Sequence, residues 1–275
     1  MTDIQKVEFG LLESFVKICD DLGLMYYLVC GSALGAVKYK GFIPWDDDVD
    51  VALPREDYER FCDLAPEHLP EGVFLQNHKT DKLYPRIYSK LRNSNTTYIE
   101  KTTKHIDMNH GVFIDIFPLD GYPESEKDIA RLERQKKILK LKIECVFNVD
   151  YGFLRNSFFR LERMLGFHKK TNKYVKRLDK ILSAYPSESS SLWCNHGNWQ
   201  GKLEYAPREQ YGKGAFAEFE GLSVRVPEKY DEYLTQKYGN WRADLPEEEQ
   251  VGHHYYEICD MTKPYTHYMK IKKDK

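Results

Sequence analysis

Four aspartates in five positions, followed at once by a strand-like run, constrain this sequence more than any other feature. Residues 41–54 read GFIPWDDDVDVALP. The acidic side chains are Asp46, Asp47, Asp48 and Asp50. Like charges this close repel one another unless a cation or hydrogen-bond donors offset the repulsion. The run therefore predicts a site that holds a positive group.

The strand that follows decides which carboxylates point together. Residues 49–53 predict a strand, in which successive side chains face opposite sides. Asp48 and Asp50 then share one face, while Val49 and Val51 occupy the other. Paired carboxylates suit a hard divalent cation such as Mg²⁺, which takes one or two of them and completes its coordination with water and phosphate oxygens.

A third carboxylate interrupts a second apolar run. Residues 111–121 read GVFIDIFPLDG, and Asp115 stands between the apolar residues 112–114 and 116–117. An aspartate in such a β-prone run is costly unless it is paired or binds a metal. Two interpretations stay open: Asp115 is a metal ligand, or it forms a cap or a salt bridge.

Other residues indicate phosphate binding. In CGSALGAVKYKG, residues 30–41, Gly31 allows close approach of backbone amides to a ligand, and Ser32 offers a hydroxyl at the start of a predicted helix. Arg86 and Lys90 share one face of a strand predicted over 85–91. Either could bind donor phosphates or form a surface salt bridge.

These motifs together resemble the polymerase-beta-like nucleotidyltransferase superfamily, with its Gly-Ser turn, paired-aspartate strand and later third carboxylate. Within it, residues 31–61 (GSALGAVKYKGFIPWDDDVDVALPREDYERF) resemble the signature of the LicD family, the phosphocholine transferases of bacterial surface polysaccharides, whose relatives include fukutin-type ribitol-phosphate transferases. GVFIDIFPLDG and residues 219–239, FEGLSVRVPEKYDEYLTQKYG, are similar to the rest of that pattern. Where the family often has Arg-His, this chain has Lys38-Tyr39, which keeps the charge but loses a planar guanidinium.

The resemblance implies an α+β fold with a nucleotidyltransferase core, a mixed sheet flanked by helices, and a helical insertion. We expect a catalytic core over 1–122, a basic helical insertion over 123–192, and a segment over 193–275 that packs back on the core. Apolar spacing predicts helices over 4–22 and 227–238, strands over 26–30, 49–53, 73–77, 85–91 and 112–117, a mostly helical stretch over 125–185, a hairpin near 219–226 and a frayed tail over 271–275.

The implied reaction transfers a phospho-alcohol, phosphocholine by preference, from a CDP-linked donor to a sugar hydroxyl of a cell-surface glycan. The glycan would be of the teichoic acid or lipopolysaccharide type, and CMP would be released. Asp48, Asp50 and Asp115 are expected to hold Mg²⁺ or Mn²⁺, with Asp115 favoured as the base, while Asp46 and Asp47 support these ligands or bind a second ion. Expected substrate contacts are Gly31, Ser32, Lys38, Arg86 and Lys90.

Two other interpretations of the acidic run remain. A metal-dependent sugar-nucleotide glycosyltransferase also places Asp-x-Asp after a strand, but such folds usually need several βα units before the motif. A non-enzymatic calcium-binding module would use Asp46, Asp48, Asp50 and Asp57 as loop positions 1, 3, 5 and 12. Val51 then stands where that loop requires glycine.

The six cysteines include no CxxC pair, and the N-terminus has no basic start followed by an apolar segment. We therefore expect reduced thiols in a cytoplasmic protein. One set of side chains could gather a zinc ion, although its spacing fits no compact finger. The set is Cys194, His196, His253, His254 and Cys259.

Residues 137–180 carry twelve basic and four acidic side chains, a net charge of +8 in a chain whose net charge is −2. Apolar residues are interleaved with the bases. The pattern fits either a solvated helical face over a core stripe or peripheral contact with an anionic membrane at its inner face. The longest nearly apolar run, 26–37, is too short to span a membrane, and no nucleic acid partner is expected.

Overall fold

A mixed sheet flanked by helices forms the centre of the protein, as the α+β prediction requires. The structure is a computed structural model that describes residues 1–150, 152–198, 201–252 and 256–273. The α-helices are α1 (Asp3–Leu22), α2 (Cys30–Leu34), α3 (Arg55–Leu64), α4 (Glu126–Glu144), α5 (Phe153–Met164), α6 (Thr171–Leu182), α7 (Arg208–Tyr211), α8 (Tyr230–Tyr238) and α9 (Tyr265–Lys273). Among the residues described, none of these helices is both long and apolar enough to cross a membrane.

The strands form one large sheet and two small ones. They are β1 (Tyr27–Leu28), β2 (Asp50–Pro54), β3 (Val73–Gln76), β4 (Ser89–Asn93), β5 (Thr97–Glu100), β6 (Val112–Gly121), β7 (Leu192–Cys194), β8 (Tyr205–Pro207), β9 (Ala215–Phe219), β10 (Leu222–Val226) and β11 (Tyr256–Asp260). The large sheet has the order β1-β2-β6-β4-β3, with β7 joined to β6 and β8 to β7. β9 pairs with β10, which confirms the predicted hairpin, and β11 pairs with β5.

Strand register sets up the site. β2 and β6 run parallel and pair Asp50 with Asp115. β4 runs antiparallel to β6 and pairs Lys90 with the same Asp115. Because register partners project from the same face of a sheet, three neighbouring strands place two carboxylates and one ammonium in a row. We call these three side chains the charged row.

Helix α1 has a recognisable capping motif at its start and a glycine at its end. The Gln5 amide donates to the Thr2 hydroxyl, and the Thr2 amide donates back to the Gln5 side chain, which forms a capping box. Gly23 closes the helix in the left-handed conformation, with a φ of 63°. The predicted helix over 4–22 is thus confirmed.

The predicted helical stretch over 125–185 contains α4, α5 and α6. α4 and α6 share the core that packs on the sheet, through Leu132, Leu139, Leu178 and Leu182. Arg55 on α3 binds Asp120 of β6 at 2.6 Å and Asp179 of α6 at 3.1 Å. Apolar packing and buried ion pairs therefore hold α6 to the sheet, while the domain boundaries at 122 and 192 stay predictions.

Several predicted elements are wrong at their ends. The strand predicted over 85–91 begins at Ser89, because residues 85–88 form a loop in which Arg86 lies 3.5 Å from Glu100. The strand predicted over 26–30 ends at Leu28, because Cys30 turns the chain with a φ of 52° and starts α2. Residues 271–273 belong to α9 and residues 274–275 lie outside the described residues, so the fraying of the tail stays a prediction.

Candidate active site

The charged row is centred on Asp115. Lys90 Nζ lies 2.7 Å from Asp115 Oδ1, and the Lys90 side chain is buried. Burial lowers the pKa of Lys90, against the opposing effects of Asp115 and Glu100. Despite the short distance, Asp115 Oδ1 has no hydrogen-bond partner among the described residues. The contact is therefore an ion pair without good hydrogen-bond geometry, and this buried oxygen can still accept a donor or a cation.

Gly31 and Ser32 lie at the acidic run, as predicted, but their contacts are with the protein itself. The Ser32 hydroxyl accepts from the Asp50 amide at 2.8 Å, which fixes the start of β2. A side chain at Gly31 would place its Cβ 2.7 Å from Asp46 Oδ2, so only glycine lets the Asp46 carboxylate approach α2. Both residues therefore position aspartates, and their predicted role in substrate binding stays a prediction.

The loop that carries Asp46 and Asp47 is held from two sides. The Gln5 side-chain amide of α1 donates to the Asp46 carbonyl at 2.9 Å. The Tyr98 hydroxyl of β5 donates to Asp47 Oδ2 at 3.3 Å. Because both contacts are donors to the acidic segment, they offset part of its negative charge.

Glu8 on α1 is a further carboxyl that sequence reasoning missed. It is only 2% exposed, and its Oε2 has no hydrogen-bond partner among the described residues. Burial raises the pKa of Glu8 well above its usual range, and Asp48 and Asp47 raise it further. A signal was available, because Glu8 lies at helical spacing before Leu11 and Phe15, on the buried stripe of α1.

Two predicted substrate contacts lie in separate ion pairs. Lys38 Nζ donates to the Ala243 carbonyl at 2.7 Å and lies 3.0 Å from Asp244 Oδ1. Arg86 pairs with Glu100 and lies 5.1 Å from the centre of the Phe147 ring. The structure does not bring either side chain into the charged row, and their roles toward a donor stay predictions.

The charged row fits a divalent cation through two carboxylates. Asp50 and Asp115 are neighbours in register, and a buried Asp115 oxygen lacks a hydrogen-bond donor. Mg²⁺ sites commonly use one or two carboxylates together with substrate phosphates. Within the part of the chain that the structure describes, no three His, Cys, Asp or Glu side chains are arranged to hold a metal ion. The metal, and the wider ligand set with Asp46, Asp47 and Asp48, therefore stay predictions.

The other metal interpretations find less support. Asp57 lies on α3, where it accepts from the Met25 amide at 3.1 Å, and β2 separates it from Asp48, so a continuous calcium loop does not form. Cys194 Sγ and His196 Nδ1 lie 3.3 Å apart. Cys259 lies on β11, beside β5, and His253 and His254 lie outside the described residues.

Residues from the last third of the chain cover the sheet beside the charged row. A Cβ at Gly197 would lie 2.7 Å from the Phe117 ring and 2.8 Å from the Tyr88 ring, so this loop rests directly on both. The Asn198 side-chain amide donates to Cys30 Sγ at 3.4 Å, and the Cys30 amide donates to the Tyr233 hydroxyl at 3.1 Å. No local pattern marks Asn198 or Tyr233, because they are distant in sequence from their partners.

Comparison with known proteins places this site inside a known family. The family model described as LicD/FKTN/FKRP, nucleotidyltransferase domain, matches residues 23–136, which include the acidic run, Lys90 and Asp115. An uncharacterized protein of Rickettsia prowazekii is 28% identical over 116 residues, which cover 42% of this chain and 40% of that protein. The lipopolysaccharide cholinephosphotransferase LicD of Haemophilus influenzae is 30% identical over 256 residues, 91% of this chain and 94% of that protein. Since this match runs nearly end to end in both proteins, the chain belongs to the LicD family.

Proposed function

We propose that this protein is a transferase that moves phosphocholine, or a related phospho-alcohol, from a CDP-linked donor to a sugar hydroxyl of a cell-surface glycan. The acceptor would be of the lipopolysaccharide or teichoic acid type, and CMP would be released. The observation that carries the proposal is the charged row, in which Asp50, Asp115 and Lys90 meet on three strands. The near full-length relative named for cholinephosphate transfer to lipopolysaccharide supports the choice of cargo and acceptor. The large sheet would then be a nucleotidyltransferase core.

The side chains of the charged row suit the proposed chemistry. The acceptor hydroxyl attacks the phosphorus that carries the alcohol, its proton passes to Asp115, and the bond to the CMP oxygen breaks. Lys90 provides a positive charge beside Asp115, suited to a donor phosphate. Mg²⁺ or Mn²⁺, held by Asp50 and Asp115, would neutralise charge on the pyrophosphate oxygens. The Ser32 and Gly31 contacts keep the aspartates in place.

The test is CMP release from a series of CDP-alcohols. The protein is incubated with CDP-choline, CDP-ethanolamine, CDP-ribitol or CDP-glycerol, with Mg²⁺ or Mn²⁺ and a glycan extract, and CMP is quantified. We expect release from CDP-choline and incorporation of choline into the extract. Release from none of these donors would refute the proposal, and turnover of UDP-sugars instead would favour a glycosyltransferase. Asp50→Asn should abolish release without changing the circular dichroism spectrum.

We also propose that the protein works at the inner face of a membrane, as a peripheral enzyme. α5 presents Phe153 and Leu154 to solvent at 85% and 83% exposure, with Met164 at 79%. Exposed basic residues lie on the same helix and after it: Arg160 on α5, Lys169 and Lys170 just before α6, and Lys173, Lys176 and Arg177 on α6. A helix with bulky apolar residues and neighbouring cations is typical of one that lies in the interface of an anionic bilayer.

A further inference from the structure

A cavity of about 710 Å³ lies beside the loop that rests on the sheet next to the charged row. Its lining includes Tyr122, Lys136, Lys140, His196, Asn198 and Tyr205. Gly197 of the same loop rests on Phe117 and Tyr88. These rings lie two residues along their chains from Asp115 and Lys90, which is about 7 Å on a strand. His196 and Asn198, on either side of Gly197, line the cavity, so this loop contacts both the cavity and the sheet next to the charged row.

The carboxylates on the cavity wall are already bound by donors from the protein. Glu133 Oε1 accepts from the Tyr205 hydroxyl at 3.1 Å and from the Tyr122 hydroxyl at 3.4 Å, and it also pairs with Lys136. Glu204 pairs with Lys237 of α8 at 2.9 Å. Both carboxylates therefore have donors from the protein, and a ligand in the cavity need not supply one.

His196 contributes a buried imidazole to the cavity wall. It is 3% exposed and lines the cavity, and its Nε2 has no hydrogen-bond partner among the residues that the structure describes. Burial raises the pKa of the Cys194 thiol, so the thiol keeps its proton, and its Sγ lies 3.3 Å from His196 Nδ1. Burial lowers the pKa of His196 well below its usual range, and Lys136 and Lys140 lower it further. If the thiol donates to Nδ1, the neutral ring carries its own proton on Nε2.

Lys140 adds a positive charge next to this donor. Its Nζ donates to the His196 carbonyl at 3.2 Å. Burial, with a contribution from Lys136, lowers the pKa of Lys140 to about 8. An anion bound in the cavity would favour the charged form of Lys140 and would accept from His196 Nε2. The Tyr122 and Tyr205 rings, with centres 4.6 Å apart, give the same cavity an aromatic wall suited to the apolar face of a sugar.

We propose that this cavity binds the acceptor sugar through an anionic substituent, such as a phosphate, that Lys140 and His196 hold. The assignment rests on the proposed function, because this cavity would place the acceptor beside the charged row, where the proposed reaction occurs. The sugar ring lies against Tyr122 and Tyr205, and a hydroxyl directed past the Gly197 loop reaches the charged row. The CDP-linked donor binds on the row itself, outside this cavity.

Binding to the full chain in metal-free buffer tests the assignment without any need for turnover. Isothermal titration is carried out with glucose 6-phosphate, methyl glucoside, inorganic phosphate and CMP. We expect glucose 6-phosphate to bind more tightly than either of its parts. Lys140→Met and His196→Phe should each weaken it by about tenfold or more, as the loss of a hydrogen bond to a charged group requires, with CMP binding unchanged. Lys127→Met, which removes an exposed lysine of α4, the helix that carries Lys140, is the matched control.

Other outcomes separate this inference from the proposed function. If both variants melt like the wild type and bind glucose 6-phosphate equally well, the cavity assignment is wrong. Loss of CMP binding instead would make it a donor site, and equal binding of phosphate and glucose 6-phosphate would refute the sugar contact. If CDP-choline is turned over and Lys140→Met leaves the acceptor KM unchanged, the cavity assignment fails while the function stands. If no donor is turned over but sugar phosphate binding depends on Lys140, the function fails while the cavity assignment stands.

Discussion

Replacing Lys90 with methionine should make the stability of this protein depend on a divalent cation. The Lys90 ammonium is buried and lies 2.7 Å from Asp115, which is the register partner of Asp50. Methionine keeps most of the volume of the side chain but removes the charge. The two carboxylates would then face each other across neighbouring strands without the ammonium.

An upper bound on the effect follows from Coulomb's law at the distance between Lys90 Nζ and Asp115 Oδ1, which is 2.7 Å. At that distance and an effective dielectric constant of about 20, opposite unit charges attract by about 6 kcal/mol, and the cost of removing both charges from water cancels part of this attraction. Removing one partner of a buried ion pair costs about 3–5 kcal/mol in other proteins. We therefore expect Lys90→Met to lower the free energy of unfolding by about 3 kcal/mol in metal-free buffer.

Urea unfolding followed by circular dichroism, with EDTA or with Mg²⁺, measures the free energy of unfolding of Lys90→Met and of the wild type. Mg²⁺ should restore much of the stability of Lys90→Met, because a cation between the carboxylates replaces the missing charge. A cation at 100 times its dissociation constant adds about 2.7 kcal/mol. The wild type should gain less, because Lys90 already occupies one side of Asp115.

Lys173→Met is the control, since it removes a lysine that is exposed on α6 and should change stability by less than about 0.5 kcal/mol. If Lys90→Met is as stable as the wild type in EDTA, the ammonium does not hold the two carboxylates together. If Lys90→Met loses the same stability with and without Mg²⁺, the charged row does not bind the cation. Either result would refute the reasoning.

Three further predictions follow from the same structure. Asp115→Asn should remove nearly all CMP release while thermal unfolding stays cooperative, because it takes away both a charged ligand and the proposed base. The pair Phe153→Ser and Leu154→Ser should weaken sedimentation with anionic vesicles at least about tenfold, since each buried apolar side chain contributes about 1.5–3 kcal/mol; Phe216→Ser, at a 68% exposed position on β9, should not. Glu8→Gln should be more stable than the wild type in EDTA at neutral pH, because the pKa of Glu8 is raised in the folded protein and the unfolded chain gives up this proton first. In urea titrations, that advantage should shrink as the pH falls and vanish below about 4, near the pKa of an unfolded glutamate.

Local patterns in the sequence predicted part of the site and could not predict the rest. Alternation in the run after the acidic residues marked Asp50, and the apolar run that Asp115 interrupts marked Asp115, as strand carboxylates, and β2 and β6 contain them. Their pairing depends on a parallel register between strands separated by more than 50 residues, which no local pattern encodes. For Lys90, the two open interpretations were a phosphate contact and a surface salt bridge, and the structure places it in a buried ion pair.

The acidic run predicted that positive groups or hydrogen-bond donors lie beside it, and contacts in the structure identify some of them. Lys90 pairs with Asp115, and Tyr98 donates to Asp47. The pKa of Glu8 indicates the negative potential that remains at the site. After burial, the four largest effects on this pKa come from aspartates, and all four raise it. Because these aspartates raise the pKa of Glu8 beyond the effect of burial, the site has an excess of negative charge, which a bound cation would reduce. The repulsion among these carboxylates therefore favours the proposed binding of a cation, because a cation would relieve it.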